Sequence, residues 1–251
     1  MSAENGGQHP SPLTTSGGFG KSTHSLPETI SVPPQDLTAD PLLRPLPRIA
    51  IGDRSMPVLG RIPLLARLGK GAMGAVYYGV HPRLKNEVAV KVLQSFLAEK
   101  DPALIERFFR EAQTAARVSS QHLVRVSDVD EEFGLFYIVM EYVRGLSVAE
   151  YIKQAAAAGR VGVDEQDALR IVIAASKGLA AAHTEGIIHR DVKPANIMLP
   201  RRKDGEECDL DYAKLADLGL ARPEGQPSGL TVLFESLGTP GYMAPVQAQD
   251  A

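Results

Sequence analysis

Between Ile187 and Leu199 the chain reads Ile-Ile-His-Arg-Asp-Val-Lys-Pro-Ala-Asn-Ile-Met-Leu. Inside that stretch His189, Arg190, Asp191, Lys193 and Asn196 can each donate a hydrogen bond, accept one or carry charge, while the apolar residues at both ends suit burial. A polar loop pinned between buried segments holds reactive groups rigidly. Asp191 has the chemistry to accept a proton, and Lys193 could neutralise developing anionic charge. Asn196 offers an oxygen to a hard metal ion. Further on, Ala213-Lys214-Leu215-Ala216 has strand character and delivers Asp217-Leu218-Gly219. An aspartate at a strand end before a glycine suits Mg²⁺ held jointly with Asn196.

A second group of residues is suited to phosphate. Gly69-Lys70-Gly71-Ala72-Met73-Gly74 has glycines at its first, third and sixth positions. Backbone N–H groups can there approach phosphate oxygens with no side chain in the way. Dinucleotide-binding folds share this spacing, but their loop opens into a helix. Here Val76, Tyr77 and Tyr78 favour a second strand and hence a hairpin. An ordinary glycine-rich turn would read the same way. The earlier run Gly17–Ser22 lacks both the fifth-preceding glycine and the strand of a P-loop, and reads as linker.

Glu87-Val88-Ala89-Val90-Lys91-Val92-Leu93 alternates as a strand. Val88, Val90 and Val92 share one face, and Ala89 and Lys91 the other. A small residue beside a lysine leaves room for a flat ligand and reaches its charged end, although a snorkelling edge-strand lysine has the same pattern. Asp101-Pro102 is a helix start, with apolar Leu104, Ile105, Phe108, Phe109, Ala112 and Ala115 along one side as far as about Val118. Glu111 points with that side, and an inward carboxylate needs a cation, for which Lys91 is the candidate. A boundary glutamate with a solvated head is the alternative.

Strands are expected over Leu123–Val129 and Leu135–Met140, joined by an acidic turn from Asp130 to Gly134. Glu141-Tyr142-Val143-Arg144-Gly145 then breaks the pattern before a helix from about Ser147 to Ala157. A second helix, from Asp164 to Glu185, is apolar almost all round and so expects cover on several sides. Arg201 to Asp211 is hydrophilic and reads as a surface excursion.

Composition sets outer bounds. The 251 residues are 44% hydrophobic and 23% charged, ordinary for a soluble globular protein, and the net charge of -3 carries no nucleic-acid signature. The single cysteine, Cys208, rules out an internal disulfide and fits a reducing compartment. No apolar run approaches the roughly 20 residues of a membrane span, and no secretory signal is evident. A soluble, cytoplasmic protein is expected. Residues 1–58, rich in Pro, Ser, Thr and Gly, are expected to be a disordered extension.

Taken in order, the glycine loop in a hairpin, the strand lysine, the inward glutamate, the loop at 187–199, the aspartate-glycine pair and Ala244-Pro245 resemble the protein kinase family. The likeness runs from Arg61 to Pro245 and is closest in kind to bacterial eukaryotic-like (Hanks-type) serine/threonine kinases. Lys193 after Asp191, with Gly238-Thr239-Pro240, is similar to the Ser/Thr branch. The resemblance implies an α+β, two-lobed fold over residues 59–251. Its N-lobe, to about 141, would be a five-stranded antiparallel sheet with a helix. A hinge at 141–145 and a mainly helical, incomplete C-lobe would follow.

The resemblance further implies an enzyme that moves the ATP γ-phosphoryl group to protein Ser/Thr hydroxyls, with ATP and Mg²⁺ as cofactors. Asp191, Lys193, Lys91 and Glu111 would be catalytic, and Asn196 and Asp217 would hold metal. Gly69, Gly71, Gly74, Val76, Ala89, Lys91, Met140 (as gatekeeper), Glu141, Val143 and Met198 would bind nucleotide. A plain strand-to-helix connector remains the other reading of residues 141–145. Self-phosphorylation is expected at Ser228, Thr231 or Ser236, where a phosphate could pair with Arg190. Leu218 stands where the family usually has phenylalanine, and Val246 where it has glutamate. With no later helices to cover the one at 164–185, the sequence reads as a kinase cut short. The alternative function is a non-catalytic remnant that binds nucleotide or a partner.

Overall fold

The computed structural model describes residues 30–71, 74–93, 102–202, 205, 207–218 and 240–245, without the side chains of 102–104, 107, 111 and 240. The strands in chain order are β1 (Arg48–Ile51), β2 (Arg54–Leu59), β3 (Ile62–Gly71), β4 (Gly74–Val80) and β5 (Glu87–Leu93). Helix α1 (Pro102–Arg117) follows, then β6 (Val126–Glu132), β7 (Leu135–Glu141) and β8 (Gly145–Ser147). Helices α2 (Val148–Ala157) and α3 (Glu165–Thr184) and short strands β9 (Ile197–Pro200) and β10 (Lys214–Leu215) complete the described fold.

The first seven strands form one antiparallel sheet in the order β1-β2-β3-β4-β5-β7-β6. Five strands were expected; β1 and β2 are the additional pair. The expected disordered extension to residue 58 is likewise corrected. From residue 30 the chain lies on the sheet, and the proposed boundary falls inside β2. The reason is visible in the strand pattern. Val88, Val90 and Val92 fill one face of β5, beside Tyr77, Tyr137 and Val139. Such an apolar outer face must be covered. Leu37, Leu43 and Leu46, from a strap of residues 30–47, pack onto it and are buried. The strap is pinned where Tyr77 Oη donates to Asp40 Oδ2 at 2.9 Å and Gln35 N donates to the Leu65 carbonyl at 2.7 Å. Asp40 also caps the short 3-10 turn Pro41–Leu43 through Leu42 N.

The opposite sheet face carries Ala89, Ile138 and Met140, which join Phe108, Ala112 and Ala115 of α1 in one core with residues of α3, β9 and β10. On α1, Phe108, Ala112 and Ala115 are buried, with Ile105 and Phe109 partly covered beside them, on the side the apolar spacing assigns. The turn between β6 and β7 is tighter than expected, because the strands run on through Glu132 and from Leu135. Phe133 and Gly134 alone turn the chain, at φ 54° and 72°, the left-handed geometry that matches strand twist in two-residue hairpins.

Helix α2 begins with a reciprocal capping box, in which Ser147 Oγ accepts from Glu150 N and Glu150 Oε2 accepts from Ser147 N. Helix α3 sits where expected, between Asp164 as N-cap and Glu185 as C-cap. Its buried side is Ile171, Ala174, Ala175, Gly178 and Ala182, whereas Leu169, Val172 and Ile173 are exposed among the described residues. Gly178 lets the helix ride against the segment before β6: a Cβ there would meet the His122 carbonyl oxygen at 2.5 Å. The hydrophilic excursion after β9 dips back into the core at Leu210, and Arg170 grips Asp211 with two hydrogen bonds of 2.8 and 2.9 Å.

Candidate active site

The loop at 187–199 is launched from the end of α3 by a glycine. Gly186 has φ 74°, and Ile187 N donates to the Ala182 carbonyl at 2.9 Å while Gly186 N donates to His183 at 3.0 Å. That pair of bonds is the Schellman ending, which a Cβ at Gly186 would strain. Burial then alternates, so the expected apolar run before the loop is only half covered: Ile188 is exposed and His189 is buried. Asp191 N donates weakly to His189 Nδ1 (3.4 Å), which leaves the ring proton on Nε2, 3.0 Å from the Ala216 carbonyl. Burial holds His189 below its ordinary pKa, so the ring stays neutral and works as a hydrogen-bonded strut.

That strut joins two aspartates. Pro194–Asn196 forms a 3-10 turn, then Ile197 and Met198 pair with Leu215 and Lys214 across β9 and β10. Ala216 N donates to the Asn196 carbonyl at 2.8 Å, continuing the ladder to the edge where Asp217 follows. Arg190 and Asp217 both have φ 60°, an uncommon value outside glycine that turns the chain sharply beside each carboxylate.

Around Asp191 the polar groups converge. Lys193 Nζ lies 2.9 Å from Asp191 Oδ2, and Asn196 Nδ2 donates to the same oxygen and to the Asp191 carbonyl, each at 2.9 Å. From the sheet, Lys91 Nζ reaches Asp217 Oδ1 at 2.8 Å. Burial pushes the Asp217 carboxyl up, but the Lys91 ammonium beside it, with Lys193 behind, outweighs that and holds it below the usual carboxylate range. Glu111 lies on α1 as expected; its side chain is outside the described residues. So are Ser228, Thr231, Ser236 and Val246.

The apolar side of the site is assembled with equal economy. Ala89 pairs with Met140 across β5 and β7, and Val76, Val143 and Met198 belong to the same core cluster. Glu141 ends β7 and Val143 lies in the connection to β8. The glycine loop is a hairpin, as expected, with Gly69 opposite Val76 and Gly71 opposite Gly74. Its glycines divide in their physical need. A Cβ on Gly74 would stand 1.9 Å from the Val92 carbonyl oxygen, so that glycine serves strand pairing; above Gly69 and Gly71 there is open space. Lys214 was not singled out in the sequence, yet its ammonium holds Glu141 at 2.8 Å and ties β10 to the interlobe connection. A lysine inside an otherwise apolar strand was its only signal.

The arrangement has a flat apolar end, a loop of accessible backbone and a polar end of hard oxygen donors. A profile of the protein kinase domain matches residues 63–249. This chain belongs to the protein kinase family. Among curated relatives, a probable serine/threonine-protein kinase of Streptomyces coelicolor is 39% identical over 196 residues, covering 76% of this chain and 27% of its own length. Serine/threonine-protein kinase PknF of Mycobacterium tuberculosis is 35% identical, covering 73% of this chain and 37% of its own. A probable serine/threonine-protein kinase of Bifidobacterium longum, 37% identical, covers 74% of this chain and is itself covered over 23%. The chain thus spans about a quarter to a third of the length of these relatives.

The PknI kinase domain of M. tuberculosis superposes with a TM-score of 0.56 at 32% identity, covering 68% of this chain and 63% of that one. The α+β kinase fold is therefore established here, with a seven-stranded sheet in place of the expected five. Protein kinases as a family use ATP and Mg²⁺, and the residues of this kinase domain fit both. The apolar cluster around Ala89 and Met140 suits a purine, and Asp217 with Asn196 supplies the oxygen donors that Mg²⁺ prefers. No helix among the described residues is long and apolar enough to cross a membrane.

Proposed function

We propose that this kinase domain transfers the γ-phosphoryl group of ATP to Ser or Thr hydroxyls of protein substrates. The observation that carries the reading is the convergence of two charge clusters, Asp191–Lys193–Asn196 and Lys91–Asp217, at one edge of the β9–β10 ladder. Adenine would lie between Val76, Ala89 and Met198, next to Met140, with the Glu141 carbonyl and Val143 amide as its hydrogen-bonding edge. Gly69, Gly71 and Gly74 would cover the phosphates. Asp217 and Asn196 would hold Mg²⁺, which when bound neutralises phosphate charge.

Both donors to Asp191 sit on Oδ2, which directs a substrate hydroxyl to Oδ1. As the hydroxyl oxygen bonds to phosphorus, its proton passes to Asp191 and the bond to the ADP oxygen breaks. Lys193 then steadies the negative charge of the moving group, and Lys91, with Glu111 behind it, orients the phosphates. Ser228, Thr231 and Ser236 are candidates for self-phosphorylation, and dependence on ATP implies work on the cytoplasmic side. The division into an N-lobe to about residue 141, a connection at 141–145 and a following C-lobe supports the cleft this reaction needs.

The decisive experiment is transfer of labelled phosphate from ATP to a generic basic protein, with Asp217→Ala as control. Transfer by the natural chain that disappears in the control supports the enzyme. Nucleotide binding without transfer would make the chain a binding module instead.

A further inference from the structure

Glu87, the first residue of β5, gathers groups from three parts of the chain. Its Oε1 accepts from Ser31 N at 2.6 Å and from the Tyr78 hydroxyl, and its Oε2 accepts from Arg144 Nε. Ser31 N also reaches Tyr78 Oη at 3.2 Å. Tyr78 is fully buried and meets Tyr142 edge-on, with ring centroids 4.9 Å apart. Ile30 and Val32 flank Ser31 and pack onto the cluster of Met56, Leu65, Tyr78 and Val80 that Tyr142 also joins. The strap therefore runs behind the interlobe connection and touches it through two intermediaries, an aromatic pair and a carboxylate.

Arg144 makes the link consequential. Its side chain is held by β5 through Glu87, while its carbonyl accepts from Arg201 N at 2.7 Å, just past β9. One residue thus spans the sheet and the second lobe, one position after Val143. The Glu87 side chain is 10% exposed and that of Arg144 57%. Burial alone would push the Glu87 carboxyl up, yet the hydrogen bonds from Tyr78, Ser31 and Arg144 bring it below its ordinary value, so it is charged near neutrality. Removing any donor leaves a nearly buried carboxylate short of a partner.

We propose that Glu87 is a positioning residue for the nucleotide: by tying the strap to Arg144 it sets where the Glu141 carbonyl and Val143 amide stand. The inference rests on the nucleotide reading above. It makes the N-terminal strap part of the machinery for ATP affinity, through the back of the connection and not through the cleft.

The test uses the full chain and measures the Kd for ATP, KM for ATP and kcat, beside the thermal transition. Losing a hydrogen bond to a charged group predicts that Glu87→Ala and Arg144→Ala each raise Kd and KM about tenfold, with kcat at saturating ATP changed less than about twofold. Because both break one link, the double variant should bind within about twofold of Glu87→Ala. Ser31→Pro, which deletes the N–H donor, should raise Kd about threefold, and Ser31→Ala, which keeps it, should not. Were Glu87→Ala to unfold, the exposed Arg144→Ala carries the measurement. Unchanged Kd in Arg144→Ala, or a fall in kcat with constant KM, overturns the inference alone. A natural chain that binds no ATP overturns it together with the nucleotide reading.

Discussion

At the scale of residues, the chemistry depends on how few atoms separate Asp191 from its neighbours. Lys193 and Asn196 both reach Oδ2 at 2.9 Å, which fixes the orientation of the carboxyl group. Asp191→Asn preserves that shape and removes the proposed proton acceptor. Transfer should fall at least about a hundredfold, on the scale of general-base catalysis, while ATP affinity stays within a few-fold. A loss of affinity as large as the loss of rate would contradict the assignment. His189 carries a prediction of different sign. Its folded pKa is depressed below 6.5 by burial, so well above pH 6.5 both folded and unfolded forms are neutral. As pH falls through 6.5 the unfolded chain takes up the proton first, and stability declines until the folded ring also protonates. Asp191 and Asp217 face the ring and partly offset the effect. Urea midpoints at pH 7.5, 6.5 and 5.5 should drop more steeply for the natural chain than for His189→Gln. Parallel slopes would remove His189 from the account.

Elements place those residues through close backbone approach more than through side-chain volume. Helix α3 delivers the 187–199 loop and must lie flat against the segment before β6, which Gly178 permits. Gly178→Ala would press a methyl against the His122 carbonyl at 2.5 Å. Because that oxygen accepts from Leu215 N at 2.8 Å, the strain would reach β10, two residues from Asp217. Overpacking of this kind costs about 1–3 kcal/mol, so a chemical denaturation midpoint should fall accordingly. An unchanged midpoint would mean the helix can shift without consequence. The same dependence explains what sequence patterns missed at this scale. The expected helices match α1, α2 and α3 within a residue or two, and in the structure Ser147 and Asp164 cap the starts of α2 and α3. Strand ends were less legible. Glu131 and Glu132 look like turn residues until β6 is seen pairing them with Phe136 and Leu135.

For the whole molecule, the larger surprise is the strap and the β1–β2 hairpin. Leu43 is fully buried against the outer sheet face, 45 residues before Val88 in the chain. If residues 36–47 were an appendage, Leu43→Ala would leave stability alone. As part of the core it should cost about 2–5 kcal/mol, measured by thermal or denaturant unfolding of the full chain. The exposed residues of α3 are a reminder that an all-round apolar helix can be covered on one side only among the described residues.

The sequence by itself determined the family resemblance and the fold class. Residue types at fixed spacing, such as the three glycines before Val76, Lys91 on an alternating strand, or Asp191 with Lys193 and Asn196, carry the resemblance because local geometry puts them on one turn or one face. The tertiary structure decided which distant groups meet. Lys91 with Asp217, Lys214 with Glu141, and Glu87 with both Ser31 and Arg144 are separated by 126, 73, 56 and 57 residues. No periodicity spans such distances. A proline- and serine-rich stretch with scattered leucines resembles a disordered tail until the sheet offers it an apolar face. Its order comes from the surface that receives it, which composition does not describe.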